Sequence, residues 1–179
     1  MFERIEEAAL RETESGLVPE GEGWFVVNVA AGRGMRSDRF GSACVFEGVD
    51  AGRFPEFGLN VRVLQPGQPN SLYHREDAQE AFLVLAGEAL AIVEDQERRL
   101  RAGDLLHAPP GTAHVLVGVG DGPCAILMVG TRKRPETLLY PVSEVAGRYG
   151  ASVEEETPDE DAAYAGTPPP EPGPIGLPW

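Results

Sequence analysis

The stretch HREDAQEAFLVLAG, residues 74–87, decides the reading of this chain. In an extended strand successive side chains point to opposite faces, so His74 and Glu76 share one face while Tyr73 and Arg75 take the other. Glu80 follows after the short turn Asp77-Ala78-Gln79 and opens an apolar run that closes at Gly87. A hairpin neighbour would carry the Glu80 carboxylate beside the first pair. Imidazole and carboxylate groups on rigid strands within one cavity are what a borderline or hard divalent cation requires.

A second stretch, GDLLHAPPGTAHVLVG at residues 103–118, supplies the partner. The corner Pro109-Pro110-Gly111 turns the chain, and His114 opens the strand that follows. An isolated histidine in an apolar strand more often packs as a hydrogen-bonded core residue than binds a metal, so His114 gains meaning only beside the other acids and imidazoles. His107 falls on the face of Leu105 and Pro109 if alternation is regular, where it lines a pocket or packs.

Outward from these stretches, short β-rich runs recur. Trp24–Ala30, Phe40–Phe46, Phe57–Leu64, Ser71–Arg75, Glu80–Leu85 and Ala89–Val93 precede Arg98–Leu100, Leu105–Ala108, His114–Val119 and Pro123–Thr131. Turn residues separate them and no helical pattern intervenes, which predicts an antiparallel sandwich or barrel. Alternation within the runs is imperfect, as expected where both faces of a strand are covered. A second subunit is one source of such cover, so a homodimer is expected. Before the strands, Phe2, Ile5, Ala9 and Leu10 recur at helical spacing and predict a short amphipathic helix over residues 2–13. After Arg148 no Lys or Arg remains, acids accumulate, and the chain ends in the proline-rich EPGPIGLPW. Such a segment cannot fold alone. It can run extended along the body, with Tyr164, Ile175, Leu177 and Trp179 as apolar anchors. The expected division is an N-terminal extension at 1–20, a β domain at 21–135 and a C-terminal segment at 136–179.

Composition excludes several partners. Hydrophobic residues make up 42% of the 179 and charged residues 25%, ordinary for a globular protein. The formal net charge of −14 repels nucleic acid and anionic lipid. The one basic cluster, Arg132-Lys133-Arg134, reads as a solvated strand end. Cys44 and Cys124 stand far apart in apolar runs and read as buried free thiols. With neither a signal-peptide pattern nor an apolar run of membrane-spanning length, a cytoplasmic location is expected.

Glycine and proline placement around the acids and histidines resembles the cupin superfamily. Gly67, His74, Glu76, Glu80 and Gly87 follow its first motif, and Gly103, Pro109, Gly111 and His114 follow its second. The resemblance implies an all-β cupin-type antiparallel β-barrel, the double-stranded β-helix or jelly roll, with His74, Glu80 and His114 as metal ligands. Two positions depart from the pattern before the end of the second motif. One extra residue lies between Gly67 and His74, and Glu76 replaces the second histidine of the first motif. Strict glycine spacing would instead place Tyr73 and Arg75 at the ligand positions, but arginine cannot ligate a cation. The register with His74 inward is preferred, and the insertion then belongs to the preceding loop. At a third position Gly118 stands where the motif has Asn. Glu76 is expected either as a fourth ligand or as an acid or base. Its charge favours manganese or ferrous iron, with zinc also compatible. The family includes dioxygenases, isomerases, decarboxylases and ligand-sensing modules. The resemblance thus implies one divalent metal and either an oxygenase- or isomerase-type enzyme acting on a small organic molecule or a non-catalytic module that binds or senses one.

Overall fold

A computed structural model describes residues 3–132 and 137–179 of the chain. The strands, in order, are β1 (Ala9–Thr13), β2 (Gly16–Glu20), β3 (Arg33–Ser37), β4 (Gly41–Val45), β5 (Phe57–Leu64), β6 (Arg75–Glu76), β7 (Glu80–Ala86), β8 (Glu88–Val93), β9 (Gln96–Arg101), β10 (Leu105–Ala108), β11 (His114–Val119), β12 (Cys124–Thr131), β13 (Leu138–Leu139) and β14 (Glu171–Pro172). Two one-turn helices, α1 (Glu144–Gly147) and α2 (Glu160–Ala163), lie in the C-terminal segment. All strand pairings are antiparallel: a seven-stranded sheet runs β10-β7-β12-β5-β4-β3-β14 and a three-stranded sheet runs β11-β8-β9. Among the described residues the strands thus group as two main facing sheets.

Alternation explains the core. Phe82 and Val84 of β7, Cys124 and Ile126 of β12, and Leu64 of β5 face Ala89 and Ala91 of β8 and Leu116 of β11, filling the space between the sheets. The imperfect alternation has a source inside the chain itself. Ile92, Val115 and Val117 on the outer face of the small sheet are covered by Ala146 and Ala151 of the C-terminal segment. Val61, Val63 and Ala125 on the outer face of the large sheet are covered by Val29, Phe46 and Leu177. Both cysteines are buried and free, and burial pushes each thiol up to about 11.

Three expected elements differ. Of the strand expected over Ser71–Arg75, only a bridge at His74 and the first residue of the two-residue β6 remain. The helix over residues 2–13 does not form. Phe2 lies outside the described residues, and Ala9–Thr13 is β1, hairpinned to β2. A helix of that length is marginal without a buried face, and Ile5 is 64% exposed. The Thr13 hydroxyl instead donates to Gly16 O at 2.7 Å, closing a tight turn that places Leu17 and Val18 opposite β1. The strand expected over Trp24–Ala30 is also replaced. Trp24 makes one bridge to Glu7, and Asn28 then starts a turn, its side chain accepting from Ala30 N and its carbonyl from Ala31 N and Gly32 N. Lys133 and Arg134 of the basic cluster lie outside the described residues. Arg132 pairs through both terminal nitrogens with the buried Glu47 carboxylate, at 2.6 and 2.8 Å.

Candidate metal centre

His74 and His114 face each other across an antiparallel bridge and exchange both backbone hydrogen bonds, His74 N to His114 O at 3.2 Å and His114 N to His74 O at 2.9 Å. Their rings lie 5.1 Å apart. The bridge also accounts for the extra residue. Pro69 pairs with Val117 and His74 with His114, so the strand of His74 carries more residues between these points than β11 does. The bulge is closed by Asn70, whose backbone N donates to Leu116 O and whose side-chain Oδ1 accepts from Leu116 N, replacing a backbone carbonyl. Past the bulge, Tyr73 joins the outer cluster over the small sheet and Arg75 lies 3.8 Å from Glu94 outside, which leaves His74 inward. The insertion belongs to the loop, as the sequence implies.

Each imidazole is oriented by the same device. Nδ1 of His74 donates to Leu72 O at 2.8 Å, and Nδ1 of His114 donates to Thr112 O at 3.0 Å. A carbonyl can only accept, so both Nδ1 atoms carry the proton and both Nε2 atoms present lone pairs. Glu80 reaches them by a different route from the expected hairpin. Strand β6 pairs with β13, while β7 pairs with β10 and β12, so the carboxylate comes from the large sheet and the imidazoles from the other side. Gly111 precedes His114 with φ +83°, a left-handed conformation that suits glycine, and its N–H donates to Glu76 O at 2.7 Å.

One donor atom from each of His74, Glu80 and His114 lies within 4.8 Å of the other two. His114 is fully buried, and its Nε2 lies 3.1 Å from Glu80 Oε2 without being aligned as a hydrogen bond. Two lone-pair-bearing atoms at that distance require a cation or a proton between them. Two imidazoles, each held from behind at Nδ1, and a carboxylate fit a divalent ion. Without a metal, a proton competes for that place. Burial alone would lower the pKa of His114, but the adjacent Glu80 carboxylate outweighs it and the pKa is raised.

Glu76 is half-buried and falls outside this group of three, yet its charge bears on both His114 and Tyr140. His107 is not brought to the site. It is exposed on β10 with Leu105, while Leu106 and Ala108 on the other face pack into the core. Sequence reasoning missed Tyr140. Its ring is buried 5.9 Å from that of His74, and burial, with Tyr164 and Glu160 nearby, pushes its hydroxyl pKa up. Tyr140 sits in a segment without periodicity, so no signal pointed to it. Gly118, where the motif has Asn, is explained by space: a Cβ there would lie 2.4 Å from Gln65 O.

Residues 60–130 match the family model for the cupin domain. No curated protein matches the sequence. Among solved structures, a sugar phosphate isomerase of the cupin superfamily from Silicibacter pomeroyi is 32% identical over 54% of this chain and 62% of its own, with a TM-score of 0.49. A predicted oxalate decarboxylase from Thermotoga maritima is 19% identical over 60% of this chain and 99% of its own, with a TM-score of 0.53. The polyketide cyclase RemF from Streptomyces resistomycificus is 18% identical over 62% and 80%, with a TM-score of 0.52. The latter two share the fold. Among the described residues no helix is long and apolar enough to cross a membrane. The matched motifs and the facing sheets agree with that family match: residues 60–130 of this chain form a cupin domain.

Proposed function

We propose that the protein is a metal-dependent enzyme of oxygenase or isomerase type acting on a small organic molecule, with the ion held by His74, Glu80 and His114. The observation that carries this reading is the buried His114 Nε2, set 3.1 Å from a carboxylate oxygen with no hydrogen bond of its own. A purely structural histidine would have its second nitrogen satisfied. Three protein ligands leave open positions, and a bound divalent ion there supplies Lewis-acid polarisation of a substrate oxygen or a place for dioxygen.

The chain's own residues then orient and move protons. Leu72 O and Thr112 O keep the imidazoles in the metal-binding tautomer. Glu76, next along the inward face from His74, is assigned the proton-handling role and not that of a fourth ligand, because its carboxylate is not among the converging donors. Tyr140 walls the His74 side and keeps water from that imidazole. The exposed Leu105 and Leu85 on β10 and β7 support the homodimer, since they leave an apolar patch on that sheet.

The test is metal analysis of protein purified without chelator. Wild type should hold about one divalent ion per chain, His114→Ala should lose it while remaining folded, and Glu76→Gln should keep it. A wild type that stays metal-free after incubation with manganese, ferrous and zinc salts would remove the ligand assignment.

A further inference from the structure

We infer a second small-molecule site, for a singly charged organic carboxylate, in the cleft between β5 and the C-terminal tail, with the Arg62 guanidinium as its anchor. The cleft measures about 370 Å³ and is lined by Phe40, Arg62 and Ser71 on the body and by Tyr164, Thr167 and Pro168–Pro170 on the C-terminal segment. It joins a strand of the cupin domain to a segment outside the family match, so it belongs to this chain and not to the domain alone.

Arg62 alternates with Val61 and Val63, whose side chains pack on the outer face of the large sheet, so its own side chain projects to the opposite side. There it has far less company than a guanidinium needs. Nη1 donates to Phe40 O at 3.2 Å, its one hydrogen bond among the described residues. Nε is shut off from water without a partner, and among the described residues no carboxylate pairs with Arg62. Burial pushes its pKa down, yet arginine does not give up its proton in a protein, so the cleft contains an uncompensated positive charge. Leaving such a group without a counter-charge is costly, and an anion that accepts from its terminal nitrogens reduces the cost.

The surroundings select the anion. A carboxylate matches the planar fork with two parallel hydrogen bonds. Glu160 lies in the same cleft without pairing to Arg62, and the chain carries a net charge of −14, so a dianion is disfavoured relative to a single carboxylate. Phe40 and the three prolines offer apolar walls for a carbon skeleton. The Tyr164 hydroxyl, which accepts from Leu72 N at 3.2 Å, gives a polar contact at the far side.

Isotope-labelled full-length protein titrated near neutral pH with succinate, inorganic phosphate or neutral succinamide, at constant ionic strength, tests the assignment. Succinate should move the Arg62 Nε–H resonance and the amides of Ser71 and Thr167, and succinamide should move neither. Phosphate should bind more weakly than succinate. Arg62→Gln should weaken succinate by about tenfold or more, and His114→Ala should leave it unchanged, which separates this site from the metal centre. The wild-type shift pattern decides the question even if Arg62→Gln fails to fold. No shift with either anion, tighter binding of phosphate, unchanged affinity in Arg62→Gln, or shifts that gather at His74 and vanish in His114→Ala would each overturn it.

Discussion

The cupin domain and the segments that flank it reach order by different means. Strands β5, β7 and β12 pair along most of their lengths and bury residues between two sheets, so they specify one another. The flanking pieces are short, α1 and α2 spanning four residues each and β13 and β14 two, and each leans on the body: α1 on the outer face of the small sheet, β13 and α2 on the cluster of Phe40, Leu72 and Tyr140, and β14 on the edge strand β3. The difference teaches that a segment with no core of its own can still be indispensable, since strands buried on both faces need something to cover the second face.

The same truncation at two places measures this contrast. Ile126→Ala, between the sheets and 0% exposed, should cost about 3–5 kcal/mol in denaturant unfolding, whereas Ile175→Ala, in the tail and 6% exposed, should cost about 2 kcal/mol because the tail can settle into the gap. Equal losses would show that tail and core are one cooperative unit of the same rigidity. A smaller effect follows from His114 in the chelator-treated protein. Its folded pKa is raised, so the stabilisation from its pairing with Glu80 is fully present below the ordinary value of 6.5 and is lost as pH rises through the raised value. The stability difference between wild type and Glu80→Gln, followed by thermal unfolding in chelator, should therefore shrink as pH rises. Metal loading should follow the opposite course and fall as pH is lowered, because proton and ion compete for Nε2. The smallest effect belongs to His107→Ala, which should change stability by less than about 0.5 kcal/mol and leave metal content unchanged. Loss of metal there would link the exposed edge to the site.

Legibility followed the same division. Within residues 57–131 the strands from β7 to β12 and β5 were readable because apolar runs, turn glycines and the two prolines before His114 agree with one another, whereas the run expected over Ser71–Arg75 was not. The grouping of His74, Glu80 and His114 followed from strand parity and motif, but their assembly across two sheets did not, because hairpin adjacency is a local inference and the sheet pairing is a long-range one. Helical spacing at the N-terminus misled because four apolar residues fit a helix face without a partner to bury it. His107 shared the strand of a motif residue, and the outward turn of its face depended on Leu106 and Ala108 meeting the core. Tyr140 gave no periodic signal at all, and the alternation of Val61, Arg62 and Val63 did not reveal what Arg62 meets.

The paired backbone bonds between His74 and His114 have one further outcome. In the proposed metal centre two of the three ligands stand on a common backbone rung, which limits how far the span between the imidazoles can adjust to ions of different radius. Adjustment is left to Glu80, which stands on a separate sheet, and discrimination between cations becomes a question of how far one carboxylate can lean.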